Sequence, residues 1–268
     1  MITAAELLAA SALPPGEARS LLAHALGVPR ERLIAHPALP VAADAAARFG
    51  NLAQRRRGGE PLAYLRGAKE FYGRSFAVSP AVLIPRPDTE TLVDVALDCL
   101  RDRLRPQVLE LGTGSGCIGI TLQLERPDAR VAATDIASEA LILAQTNAGS
   151  LGAQVDFRLG RWFEAVTVGA KFDLIVSNPP YIAAGDPHLR DLTHEPELAL
   201  TDGADGLSCL AEIIRDAPDY LVESGWLVLE HGYDQAAAVA ELLSAAGMRD
   251  IVVVRDIAGH ERVTRARR

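Results

Sequence analysis

From Gln107 to Gly116 the chain reads Gln-Val-Leu-Glu-Leu-Gly-Thr-Gly-Ser-Gly, and the apolar stretch Cys117–Leu122 follows at once. A short run of this kind bounded by a turn signal predicts a buried strand. Glycines at every second place admit torsions closed to other residues and let the backbone come close to a ligand. A helix over Cys117–Glu125 then turns its N-terminus toward whatever rests on that loop. Strand, glycine loop and helix in this order predict an α/β sheet with helices on its faces.

A second strand, Val131–Thr134, runs into Asp135, whose carboxylate can accept both hydroxyls of a ribose. Two cofactor classes compete for this pattern. Gly114-x-Gly116-x-x-Gly119 formally satisfies the dinucleotide fingerprint, so NAD is one candidate. The acid-first form, Glu110-x-Gly112-x-Gly114-x-Gly116, is the one used by class I S-adenosylmethionine enzymes. Glu110 would attract an ammonium and repel a pyrophosphate, which favours the methyl donor. Cofactor contacts are expected on Gly112, Thr113, Gly114, Ser115, Gly116 and Asp135.

A helix over 138–148, a third strand over 153–159 and a fourth over Phe172–Ser177 continue the doubly wound pattern. The fourth strand runs directly into Asn178-Pro179-Pro180-Tyr181. Each proline fixes φ and lacks an N–H, so carbonyls are presented in a stiff turn without competing donors. A carboxamide and an aromatic face stand beside them, a set able to take two hydrogen bonds from a planar –NH2 group. The plainer reading is a turn starter and nothing more. Beyond it come a helix near 207–217, a strand over 226–230, a helix near 235–246 and two closing strands, seven strands in all.

The first seventy residues are of another kind. Thr3-Ala4-Ala5-Glu6 has the form of a capping box, and Ala18, Leu21, Leu22, Ala25 and Leu26 recur at helical spacing. A longer helix over 42–57 ends in Arg55-Arg56-Arg57, expected as a solvated basic helix end. The domains expected are a helical bundle over residues 1–70, a β-hairpin linker over 71–87 and a catalytic domain over 88–268. In the linker, Ile84-Pro85-Arg86-Pro87 is stiff, and Asp88 or Thr89 is expected to cap the next helix.

A net charge of −8 argues against the basic footprint of a stable nucleic-acid binder. No apolar run approaches a membrane span and no basic-then-apolar leader opens the chain, so a cytoplasmic protein is expected. Cys99, Cys117 and Cys209 are scattered without metal spacing.

Taken together, Ile84-Pro85-Arg86-Pro87-Asp88-Thr89-Glu90, Glu110–Gly116, Asn178-Pro179-Pro180-Tyr181, Glu195-Pro196 and Glu230-His231-Gly232 resemble the HemK/PrmC family, the release factor glutamine N5-methyltransferases. The resemblance spans essentially the whole chain. It implies a Rossmann-like seven-stranded class I methyltransferase sheet behind a helical domain that recognises the substrate. It implies methyl transfer from S-adenosylmethionine to the Gly-Gly-Gln glutamine of class 1 peptide chain release factors. Asn178, Pro179, Pro180 and Tyr181 would bind substrate, Asn178, Pro179 and Tyr181 would be catalytic, and Trp162 and Asn178 would join the cofactor contacts. No metal is implied. One departure stands out: the family commonly has an acid before the Trp-Phe pair, and here that place is Arg161, which cannot accept a bond from an adenine amino group. The rival readings are a DNA or RNA amino-methyltransferase and a non-catalytic S-adenosylmethionine-binding adaptor.

Overall fold

Thr3 opens the first helix as its sequence dictates. Its hydroxyl accepts the Glu6 amide at 3.3 Å, and the Glu6 carboxylate accepts the Thr3 amide at 2.8 Å. The computed structural model describes residues 2–268 and separates into two units, one ending at Ala68 and one running from Lys69 to Arg268.

The first unit holds α1 (Ala4–Ala10), α2 (Pro15–Leu26), α3 (Arg30–Ala35), α4 (Ala43–Arg57) and α5 (Leu62–Arg66). Leu21, Leu22, Leu33, Phe49 and Leu65 meet in its core. The basic end of α4 is largely solvated, as expected, with Arg55 and Arg57 exposed, and all three arginines also find partners inside the unit. Arg55 pairs with Glu60 at 2.5 Å, Arg56 with Glu17 at 2.6 Å, and Arg57 donates to the Ser11 carbonyl at 2.8 Å. The Glu17 carboxylate and the Ser11 carbonyl come from α2 and the end of α1, which a local reading of α4 does not see.

The second unit begins with a hairpin, β1 (Ala68–Phe71) and β2 (Arg74–Ala77), followed by the proline-rich segment and α6 (Glu90–Cys99). Five strands and three helices follow: β3 (Gln107–Leu111), α7 (Cys117–Glu125), β4 (Arg130–Asp135), α8 (Ser138–Leu151), β5 (Val155–Leu159), β6 (Phe172–Ser177), α9 (Ser208–Asp216) and β7 (Leu221–Glu230). The chain closes with α10 (Ala236–Ala245), β8 (Arg249–Arg255) and β9 (Glu261–Arg267). The strand order is β5-β4-β3-β6-β7-β9-β8, and β9 alone runs opposite to the other six. β3 is flanked by β4 on one side and β6 on the other, so the strand order reverses at β3.

Alternation along the strands builds the two faces. Val108, Leu174, Val176 and Val228 pack with α6 and α7. Leu109, Leu111, Ile175, Leu227 and Leu229 pack with α9 and α10. β7 starts earlier than its polar Glu223-Ser224-Gly225 segment suggests, because Leu221 still pairs with Phe172 across an irregular register. No helix among the described residues is long and apolar enough to cross a membrane.

Candidate functional site

The cleft of interest opens at the carboxyl ends of β3, β4 and β6, where the strand order reverses. The loop after β3 needs its glycines: φ is +72° at Gly112, +54° at Gly114 and +83° at Gly116. Space matters too. A Cβ on Gly116 would lie 2.7 Å from the Ile120 side chain, and one on Gly112 would press on the Trp162 ring at 3.2 Å.

Glu110 does not face the cleft, contrary to the sequence reading. It is wholly buried beneath the loop, where Oε2 accepts the Thr113 hydroxyl at 2.6 Å and the Gly119 amide at 3.1 Å. A Cβ on Gly119 would stand 2.4 Å from that oxygen, so this glycine makes room for the carboxyl. Burial pushes the Glu110 pKa up to about 8, and Oε1 has no hydrogen-bond partner.

Asp135 does line the cleft. Its Oδ2 accepts the Gly114 amide at 2.8 Å and its Oδ1 the Ala137 amide at 2.9 Å. Burial raises its pKa against these two bonds. Each oxygen keeps a lone pair for a further donor. Asn147 of α8 fixes the loop from behind, donating to the Ser115 carbonyl at 2.8 Å and the Ala77 carbonyl at 3.0 Å. An asparagine within an amphipathic helix carries no sequence signal for that role.

Trp162 forms a flat wall, held at φ +44° with its carbonyl accepting the Thr134 hydroxyl at 2.9 Å. An acid of α9, Glu212, stands behind Arg161 and Trp162 and is not part of the cleft lining. Glu212 accepts the indole N–H at 3.1 Å and pairs with Arg161 at 2.5 Å, and the Arg161 guanidinium sits 5.3 Å from the Trp162 ring centre. The Arg161 bond holds the Glu212 carboxyl below its ordinary pKa. Sequence reasoning missed Glu212 because fifty positions separate it from the tryptophan.

At the end of β6, Asn178 and Pro180 line the cleft, whereas Gly116, Pro179 and Tyr181 are not part of its lining. The Asn178 Nδ2 donates to the Thr89 hydroxyl at 3.3 Å. Thr89 makes no side-chain cap on α6 and neither does Asp88, which corrects the capping expectation. The Tyr181 hydroxyl donates to Glu230 Oε1 at 3.2 Å, and its ring packs against the cluster formed with α9 and α10. Burial pushes the Glu230 pKa up to about 7, opposed by the Thr89 hydroxyl, the Arg262 charge and the Tyr181 hydroxyl. Glu195, also buried, joins the proline-rich segment to the loop beyond the turn. It accepts the Ile84 amide at 2.9 Å and pairs with Arg86 at 2.5 Å. His231 is occupied as well: its ring nitrogens contact the Gly232 carbonyl at 2.9 Å and the Thr264 hydroxyl at 2.8 Å. Among the described residues no cluster suited to a metal ion occurs.

Residues 88–195 match the family described as the Methyltransferase small domain, and residues 2–67 match the PrmC N-terminal domain. A release factor glutamine methyltransferase of Bordetella pertussis is 50% identical over 97% of both chains. Another, of Neisseria gonorrhoeae, is 48% identical over 97% of this chain and 95% of the relative. A solved methyltransferase structure from Pyrococcus furiosus shares the fold, with a TM-score of 0.57 and 20% identity over 80% of this chain and 98% of the other. With half its residues shared along nearly its entire length, this chain belongs to the family of release factor glutamine methyltransferases.

Proposed function

We propose that this protein transfers a methyl group from S-adenosylmethionine to the side-chain amide nitrogen of the glutamine in the Gly-Gly-Gln motif of class 1 peptide chain release factors, and so tunes translation termination in the cytoplasm. The observation that carries the reading is the state of Asn178. One of its amide protons goes to the Thr89 hydroxyl, and its carbonyl oxygen is the acceptor it can offer in the same cleft as the glycine loop. An acceptor there suits an –NH2 group and repels a carboxylate.

The cleft residues fit the cofactor. The free lone pairs of Asp135 suit a vicinal diol, and Trp162 offers a flat apolar face. The Asp135 carboxyl lies beside the loop and disfavours the pyrophosphate of a dinucleotide. When bound, S-adenosylmethionine supplies an electrophilic methyl group on a positively charged sulfur.

The chain's own residues orient the other reactant. An amide nitrogen is a poor nucleophile because its lone pair is delocalised into the carbonyl. Asn178 Oδ1 accepts one of its two protons and aims it. Pro180 borders the glutamine side chain, and Tyr181, anchored by its phenol, stiffens the turn. Such positioning is worth up to ~7–11 kcal/mol in favourable systems. The helical first unit recognises the release factor away from the reactive glutamine.

The test is methyl transfer from labelled cofactor to release factor carrying Gly-Gly-Gln, to a Gly-Gly-Glu form and to duplex DNA. Only the first should be labelled. Asn178→Ala should lose about 10²–10³ in kcat with most cofactor affinity kept. Labelling of DNA instead, or normal turnover by Asn178→Ala, would overturn the reading.

A further inference from the structure

Three successive strand ends lay out the floor of the cofactor cleft. The glycine loop follows β3, Asp135 ends β4, and Arg161 and Trp162 stand just beyond β5. β4 lies between β3 and β5, and neighbouring strands are about 4.8 Å apart. With the amino-acid end on the glycine loop and the ribose on Asp135, the base is carried outward to the end of β5.

The side chains fixed at that end are donors. The Trp162 indole N–H is turned back to Glu212, away from the cleft. Arg161 lines the cleft, and its Nε and Nη2 bond the Glu212 carboxylate at 3.2 and 2.5 Å. Two bonds to one carboxylate, with the guanidinium 5.3 Å from the Trp162 ring centre, hold this group in one orientation. The pairing does not use the two Nη1 protons, and a guanidinium has no acceptor to give. Two acceptors of the segment before α9, which also line the cleft, are engaged within their own loop. The Thr201 hydroxyl accepts the Gly203 amide at 3.1 Å. The Asp202 carboxylate accepts the amides of Ala204 at 2.9 Å, Gly206 at 3.0 Å and Ser208 at 2.8 Å.

An adenine ring accepts hydrogen bonds at its ring nitrogens and donates through its 6-amino group. A donor-only side chain therefore pairs with a ring nitrogen and has nothing to offer the amino group. We infer that Arg161 is the residue that determines base specificity, donating to a ring nitrogen of the cofactor, and that the 6-amino group goes unread. Glu212 is then the positioning residue that holds Arg161 to this task from behind. The inference rests on the cofactor reading above and adds to it which atoms of the base are recognised. A site built to bond a ligand N–H rejects the analogue lacking it strongly, and a site without that acceptor carries no such penalty.

The experiment is calorimetry on the full-length protein with S-adenosylhomocysteine, which cannot react. Its affinity is compared with those of the 6-deamino analogue and of the 1-deaza, 3-deaza and 7-deaza analogues. The 6-deamino analogue should bind within about fivefold of S-adenosylhomocysteine, less than one net hydrogen bond. At least one deaza analogue should bind about tenfold or more worse, the scale of a bond to a charged group. Arg161→Ala should weaken S-adenosylhomocysteine by a similar factor and erase its advantage over that deaza analogue, an effect that a general loosening of the cleft does not produce. A larger loss with the 6-deamino analogue would overturn the inference, because the amino group is then read. So would three deaza analogues that all stay inside the tenfold margin, or a preference that survives in Arg161→Ala. Absence of any S-adenosylhomocysteine binding to the unaltered protein would instead overturn the cofactor reading beneath it.

Discussion

The Ser177 hydroxyl donates to the Leu111 carbonyl at 2.7 Å, and both atoms are buried. Leu111 is the last residue of β3 and Ser177 the last of β6, and the two are register partners. The turn carrying Asn178 and the loop carrying Gly112 are therefore stitched together one residue before each begins.

Ser177→Ala should reduce stability by about 1–3 kcal/mol, the cost of leaving a buried group unpaired. Urea unfolding measures this. An unchanged midpoint together with unchanged kcat would show that the stitch holds nothing in place.

Asp135 is placed to be read by calorimetry. Loss of its charge in Asp135→Asn should weaken S-adenosylmethionine by about 1.5–3 kcal/mol per bond to the charged group. Asp135→Ala should weaken it further, because the Gly114 and Ala137 amides lose their acceptor too. Equal affinity in both variants would move the ribose contact elsewhere.

The Arg161–Glu212 pair lies partly in solvent, with about a third of each side chain exposed, so it adds at most ~1 kcal/mol to stability. Its effect should appear at the ring. Glu212→Ala frees the Trp162 indole N–H and lets Arg161 move, so cofactor affinity should fall while the unfolding midpoint barely shifts. Trp226→Phe leaves Trp162 as the single tryptophan, and its emission should change on Glu212→Ala in that background. An unaltered spectrum would show that Glu212 does not hold the Trp162 ring.

Glu110 imposes a pH dependence whose sign is fixed by burial. Its folded pKa, about 8, lies above the ordinary value of 4.5. The native state therefore holds a proton that the unfolded chain releases, and stability falls as pH rises from about 4.5 through about 8. At ~1.36 kcal/mol per unit the shift amounts to several kcal/mol. Glu110→Gln, which mimics the protonated acid, should flatten the alkaline side of the profile in cofactor-free protein. A slope identical to that of the unaltered protein would show that Glu110 is ionised throughout.

What the sequence by itself determined is the part written in local rules. Short apolar runs bounded by turn signals predict β3 and β6, glycines at every second place predict the left-handed loop, and paired prolines predict the rigid turn. The side-chain alternation of a strand puts Glu110 on the face of Val108, toward α6 and α7, so its burial was readable although the ligand argument pointed the other way. Only the tertiary structure decided which distant side chains complete the cleft. Glu212 reaches Trp162 from α9, Asn147 reaches Ser115 from α8, and Thr89 leaves the helix it precedes to meet Asn178. The packed sheet excludes water from Thr89 and Asn147, and an unpaired buried donor or acceptor costs more than a bond exchanged with solvent. Their partners are thus chosen by where the strands end, which no window of neighbouring residues records.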